Sequence, residues 1–208
     1  MTFGPREARG VFLRLLVWLP ALFWAAWAWG WNYADLFRPL HREVLSLVLG
    51  GFRFDPVQIV HTHEYLFKAS YVIEQARVVG SHLLPPNLEG YVQAPIYYAL
   101  IHPIVLAAAA LVWPGLSWRG RAGRLLASLP ALVLLEAVDI PLVLYSSINN
   151  AVIQIYDPRG YLADKPIDWV YLLEGGGRYV LCIVAAFVAA ETQRALSGWM
   201  ARRAPVPA

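Results

Sequence analysis

Hydrophobic positions are distributed in four long runs separated by short polar intervals. The first covers residues 11–31, the second 95–114, the third 125–148 and the fourth 169–190. Each is close to the ~20 apolar residues that a helix needs to cross ~30 Å of hydrocarbon. Trp24, Trp27, Trp29 and Trp31 crowd the end of the first run and Tyr33 follows it. Tyr97 and Tyr98 open the second, and Trp113-Pro114-Gly115 closes it. Such rings favour the headgroup boundary of a bilayer. Ala26-Trp27-Ala28 formally fits a small-x-small signal-peptide cleavage site, but the bulky tryptophans around it argue for a retained span.

Between the first two runs the pattern changes twice. In the segment 35–49, Phe37, Leu40, Val44 and Val48 recur at helical spacing, opposite a polar stripe of Arg38, Arg42 and Ser46. This predicts an amphipathic helix, lying either on the membrane surface or over an external domain. Gly50-Gly51 ends it. From 52 to 79 the helical period gives way to alternation, with Val57, Ile59, Tyr71, Val72, Ile73, Val78 and Val79 set among polar residues. Two to four short strands are expected there, with another around 88–92 after the Pro85-Pro86-Asn87 loop. Asp157-Pro158-Arg159-Gly160 predicts a turn in the second external segment, 149–168. The expected fold is an all-α membrane bundle of four transmembrane helices with a small external β and amphipathic-helix element at 32–94.

The positions of the arginines orient this layout. Arg6, Arg9 and Arg14 start the chain; Arg119, Arg121 and Arg124 lie in or beside the 115–124 turn; Arg194, Arg202 and Arg203 occupy the 191–208 tail. Cytoplasmic flanks are enriched in Lys and Arg, so residues 1–10, 115–124 and 191–208 are all expected inside. That is the topology of a bacterial inner-membrane protein with both termini in the cytoplasm.

Composition agrees with this class. The chain of 208 residues is 59% hydrophobic and 15% charged, against ~45–50% and ~25% in soluble domains. The net charge of +3 is the arginine set itself, so topology accounts for it without a nucleic-acid partner. Cys182 is the only cysteine, which excludes an internal disulfide.

Charged groups inside the predicted spans are the main candidates for chemistry. Glu136 and Asp139 are three apart on the third span; Glu174 and Arg178 are four apart on the fourth. A lone charge at the centre of a span costs ~2.5–3.5 kcal/mol on insertion scales. All four are therefore expected to face inward and pair, with Arg178 opposite Glu136 or Asp139. Such a cluster is either an ion-pair clasp, a polar binding pocket or a proton pathway. Gly175-Gly176-Gly177 suits close helix packing; a local break in the span is the sharper alternative.

Two weaker constellations complete the inventory. His102, Arg178 and Cys182 supply an imidazole, a cation and a thiol, the parts of a nucleophilic site. Transpeptidases of the exosortase and archaeosortase type use these residue types, but with the cysteine first in the chain, whereas here it comes last. His61 and His63, two apart on an expected strand, would share a face and could bind zinc or copper with His41, His82 or Glu64 as a third ligand. An ordinary polar face of the β element is the favoured explanation of this spacing. His102 is the only histidine in a predicted span and Met1 and Met200 lie outside all of them, which disfavours haem. No cofactor is expected.

As a layout, the chain resembles the small membrane proteins that accompany exosortases, in particular the exosortase H-associated membrane proteins. The shared parts are the basic N-terminus, the Trp-rich first span, the amphipathic and β-rich outer stretch and the arginine-rich inner turn. The segment Gln93-Ala94-Pro95-Ile96-Tyr97-Tyr98 with Pro103 beyond it, and Asp139 in the third span, also belong to the likeness. The resemblance implies an accessory role in envelope protein sorting, with membrane lipid and another integral membrane protein, such as an exosortase, as partners. It implies no catalytic residues. The alternatives are a membrane thiol enzyme using Cys182, Arg178 and His102, or a small carrier using Glu136 and Asp139.

Overall fold

The computed structural model describes residues 5–79, 81–156 and 165–203. The chain is mostly helical, with one small sheet and one two-stranded ribbon. In order, α1 spans Pro5–Val48 and is followed by β1 (Phe52–Phe54), β2 (Gln58–His61), β3 (Tyr65–Ile73), β4 (Arg77–Val79), β5 (His82–Leu84) and β6 (Leu88–Pro95). Then come α2 (Tyr97–Val112), α3 (Trp118–Tyr156), α4 (Lys165–Leu172), a π-helical turn (Leu173–Gly177) and α5 (Arg178–Arg203). Among the described residues, three helical stretches are long and apolar enough to cross a membrane: Glu7–Val48, Trp118–Gln154 and Asp168–Gly198. The helix Tyr97–Val112 is apolar but shorter.

Several boundaries differ from those expected. The first span and the amphipathic segment are one uninterrupted helix of 44 residues. No proline or glycine pair breaks the sequence between Trp31 and Asp35, so the hydrogen-bonded ladder simply continues. The third helix likewise extends beyond 125–148 at both ends, taking in the basic turn and the first part of the external segment 149–168. The turn expected at Asp157-Pro158-Arg159-Gly160 lies outside the described residues.

The fold divides into two compact units. One comprises residues 1–28, 102–135 and 179–208; the other comprises 29–101 and 136–178. The first is helical. Within it Trp18 stacks on Trp118 at 6.4 Å and Trp113 meets Phe187 edge-on at 5.5 Å. Gln193 links two turns there, donating to the Gly120 carbonyl at 2.8 Å and accepting from Arg124 Nε at 3.1 Å.

The second unit holds the sheet and the larger core. The central strand β3 pairs antiparallel with β6 along its length, from Leu66↔Pro95 to Ile73↔Leu88. Its other edge is shared by β1 and β2, which pair with its two ends. Phe67, Ala69, Tyr71 and Ile73 alternate as the buried face of β3. They join Ala34 and Leu45 of α1, Leu49 just after it, and Ile140, Leu144 and Ile148 of α3 in one apolar cluster. Gly90 makes room for it, because a Cβ there would stand 2.6 Å from the Tyr71 ring. The C-terminal part of α1 therefore covers the sheet. Ala34, Phe37, His41 and Leu45 are buried there, as is Leu49 just beyond its end, whereas Val48 of the predicted apolar stripe is 59% exposed. The stripe is displaced because the sheet, rather than a lipid surface, selects which face of the helix is buried.

Candidate functional site: a buried ionic cluster

Among its described residues, the second unit buries one imidazole, two carboxyls and one guanidinium: His41, Glu136, Asp139 and Arg178. Their positions follow from the helices that carry them. Glu136 and Asp139 lie on adjacent turns of α3, beside Ile140 of the apolar core. His41 occupies the buried face of α1, one turn beyond Phe37. Its ring meets Phe67 of β3 edge-on at 5.1 Å and lies 6.4 Å from that of Phe37. Arg178 is the first residue of α5.

Arg178 pairs with Asp139. Its Nε donates to Asp139 Oδ2 at 2.6 Å, and the two side chains are 2% and 3% exposed. The guanidinium carbon sits 3.8 Å from the centre of the Tyr98 ring, a cation–π contact on its open face. The Tyr98 hydroxyl in turn donates to Glu174 Oε1 at 2.7 Å. A charge-assisted bond of this length, closed in by an aromatic face, satisfies much of what the guanidinium loses on leaving water.

Glu136 is held separately. The Tyr33 hydroxyl donates to its Oε1 at 2.7 Å, and His41 Nε2 lies 3.4 Å from Oε2. Arg178 and Asp139 offset each other's charge, and the His41 imidazole gives the Glu136 carboxyl a polar neighbour in place of water.

Two expectations about the cluster are corrected. Glu174 does not point inward with the others; it is exposed and accepts a hydrogen bond from Tyr98. The cause lies between Glu174 and Arg178. The three glycines form a π-helical turn in which Gly176 takes φ 112°, and the Arg178 N–H bonds the carbonyls of Gly176 and Leu173. A Cβ at Gly177 would stand 2.7 Å from the Leu172 carbonyl oxygen. The sequence thus breaks the regular helix here, and residues four apart no longer share a face. The glycine run is a break rather than a packing stripe.

His41 is the second correction. It had weight only as a possible metal ligand, yet it faces Glu136 from within the apolar helix Glu7–Val48. The signal available was a histidine on the helical period of Ala34, Phe37, Leu45 and Leu49.

The remaining candidates are dispersed. His61 ends β2 and stacks on Tyr65 at 4.4 Å; His63 follows in the turn, outside any strand, and both are exposed. His82 lies in β5 with its ring 5.9 Å from Tyr156. Among the described residues, no group of three or more His, Cys, Asp or Glu is placed to hold a metal ion. Cys182 is a fully buried cysteine outside any disulfide, and His102 is 1% exposed. Both belong to the first unit, whereas Arg178 belongs to the second and is committed to Asp139. Compared with known proteins, the chain matches no family model, no curated protein and no solved structure.

Proposed function

We propose that this chain is a non-enzymatic accessory protein of the bacterial inner membrane. It crosses four times with both termini in the cytoplasm and serves an envelope protein-sorting system of the exosortase type. The observation that carries the accessory reading is the Arg178–Asp139 pair, closed at 2.6 Å and almost fully buried. A group spent on its internal partner is not presented to a substrate. Burial of Cys182 and His102 likewise deprives the thiol-enzyme reading of the accessible nucleophile it needs.

The topology draws on the division of charge. All nine arginines of the three basic clusters fall in the first unit, where the only carboxylates are Glu7 and Glu191. The second unit carries eight basic and twelve acidic side chains. The positive-inside rule assigns the first unit to the cytoplasmic side. It also requires α2 to cross, since otherwise the arginines at 119–124 would lie opposite those at the N-terminus. The 16 residues of α2 rise about 24 Å. Tyr97, Tyr98 and Trp113 mark its ends as boundary residues.

Purification from gently solubilised membranes tests the partner. Recovery of a sorting transpeptidase in stoichiometric amount is expected, and its absence under conditions that keep the protein folded overturns the sorting role. Labelling of engineered cysteines at 119–124 by a membrane-impermeant reagent in intact cells would overturn the topology.

A further inference from the structure

The first unit contains an apolar groove of about 440 Å³ between the start of α1 and the end of α2. Ala8, Val11 and Leu15 line one side, and Ala109, Val112 and Trp113 the other. Two arginines converge on Trp113. Arg14 Nη1 lies 3.5 Å from its carbonyl oxygen, and the Arg124 guanidinium carbon is 4.4 Å from the centre of its ring. Arg124 is only 4% exposed, and its Nη1 has no hydrogen-bond partner among the described residues.

A buried cationic donor calls for an anion. This unit has few to offer. Of its two carboxylates, Glu191 is bound to Arg194 at 2.6 Å and its charge also reaches Arg124 through space, and Glu7 is an exposed residue of the first helical turn. An apolar groove beside a cationic excess suits one class of ligand, an amphiphile with an anionic head. Basic sites between helices on the cytoplasmic side hold lipid headgroups by the same physics.

We propose that this groove binds an anionic phospholipid of the inner leaflet. One acyl chain lies along Val11, Leu15, Ala109 and Val112, and the phosphate is held by Arg14 and Arg124. Resting on the membrane reading above, the site makes the lipid a structural partner of the inner end of α1. Arginine suits the role because its planar fork grips a phosphate through two donors at once.

Native mass spectrometry of the full chain in neutral detergent, with equimolar phosphatidylglycerol and phosphatidylcholine added, tests this. The wild type is expected to retain phosphatidylglycerol about tenfold more, a difference of about 1.4 kcal/mol. Arg14→Gln combined with Arg124→Gln should bring the ratio close to one. Equal retention by the wild type, or an unchanged preference in the double variant, overturns the proposal. Ala109→Leu keeps every arginine and fills the groove; it should lose the bound lipid, and full retention overturns the placement of the acyl chain. Displacement of phosphatidylglycerol by inorganic phosphate identifies a bare anion site and equally overturns it. Alkaline carbonate extraction of native membranes checks the underlying reading on its own: release of the protein sinks membrane residence, whereas equal lipid retention by a carbonate-resistant protein sinks only the lipid site.

Discussion

Arg178 and Asp139 are 39 positions apart in the chain and 2.6 Å apart in the fold. Neither has appreciable access to solvent, so each is the other's replacement for water. Removing one partner strands the other, at a cost of about 3–5 kcal/mol. We expect Arg178→Ala and Asp139→Ala each to lower the thermal stability of the detergent-solubilised protein by an amount in that range. The double variant Arg178→Leu with Asp139→Leu should be more stable than either single alanine variant, because no unpaired charge remains. Melting curves in a single detergent decide the matter, and strict additivity would show that the two residues act independently.

Tyr33 and Glu136 form the second buried link. A hydrogen bond to a charged acceptor contributes about 1.5–3 kcal/mol. Tyr33→Phe keeps the ring against Phe37 and removes only the hydroxyl. A loss of stability of that order is expected, measured by thermal unfolding. An unchanged melting temperature would mean that His41 alone suffices for Glu136.

Gly176 and Gly177 should resist substitution for different reasons. Alanine at 176 must adopt φ near 112°, outside the range L-residues favour, with strain of about 1–3 kcal/mol. Alanine at 177 meets the Leu172 carbonyl oxygen at 2.7 Å. Gly175, whose Cβ would enter open space, should tolerate alanine with little change. A parallel alanine scan read by melting temperature should place 175 well apart from the other two.

Tyr71 provides a pH signature for the sheet-bearing unit. Its hydroxyl is pushed above the usual tyrosine value of 10.0, chiefly by burial and secondarily by Tyr156. The folded state thus holds the proton more tightly than the unfolded one. Its contribution is fully present below pH 10.0 and is lost as pH rises through the higher folded value. Thermal unfolding above pH 10.0 should show this fall, and Tyr71→Phe should flatten that part of the profile.

Cys182→Ser should leave the cellular phenotype of the wild type intact, since the thiol is buried and the accessory reading gives it no reaction to perform. Complementation of a deletion strain is the check, and failure with normal protein abundance would restore thiol chemistry.

The sequence made some of this visible. That Arg178 would meet Glu136 or Asp139 followed from the cost of lone charges in apolar helices, but the choice of Asp139 did not. Tyr71 and Ile73 belonged to the alternation expected over 52–79 and lie on the buried face of β3, but the register of that strand depends on which strands reach it, and no local spacing encodes that. His41 was hidden because periodicity ranks aliphatic residues, and Leu40 and Val44 defined a stripe close to the true one. The exposure of Glu174 was illegible for a related reason: spacing arguments assume a regular helix, and a single residue with positive φ cancels the assumption.

The wide glycine turn therefore works as a phase adjuster. An ordinary helix advances 100° per residue, so its handling of one residue decides which functional groups meet. Deleting any one of the three glycines would let the backbone close at normal pitch and bring Glu174 round towards the guanidinium. Arg178 would then have to choose between a carboxylate on its own helix and the one on α3. The insertion keeps that choice from arising, and so commits the arginine to joining two helices rather than decorating one.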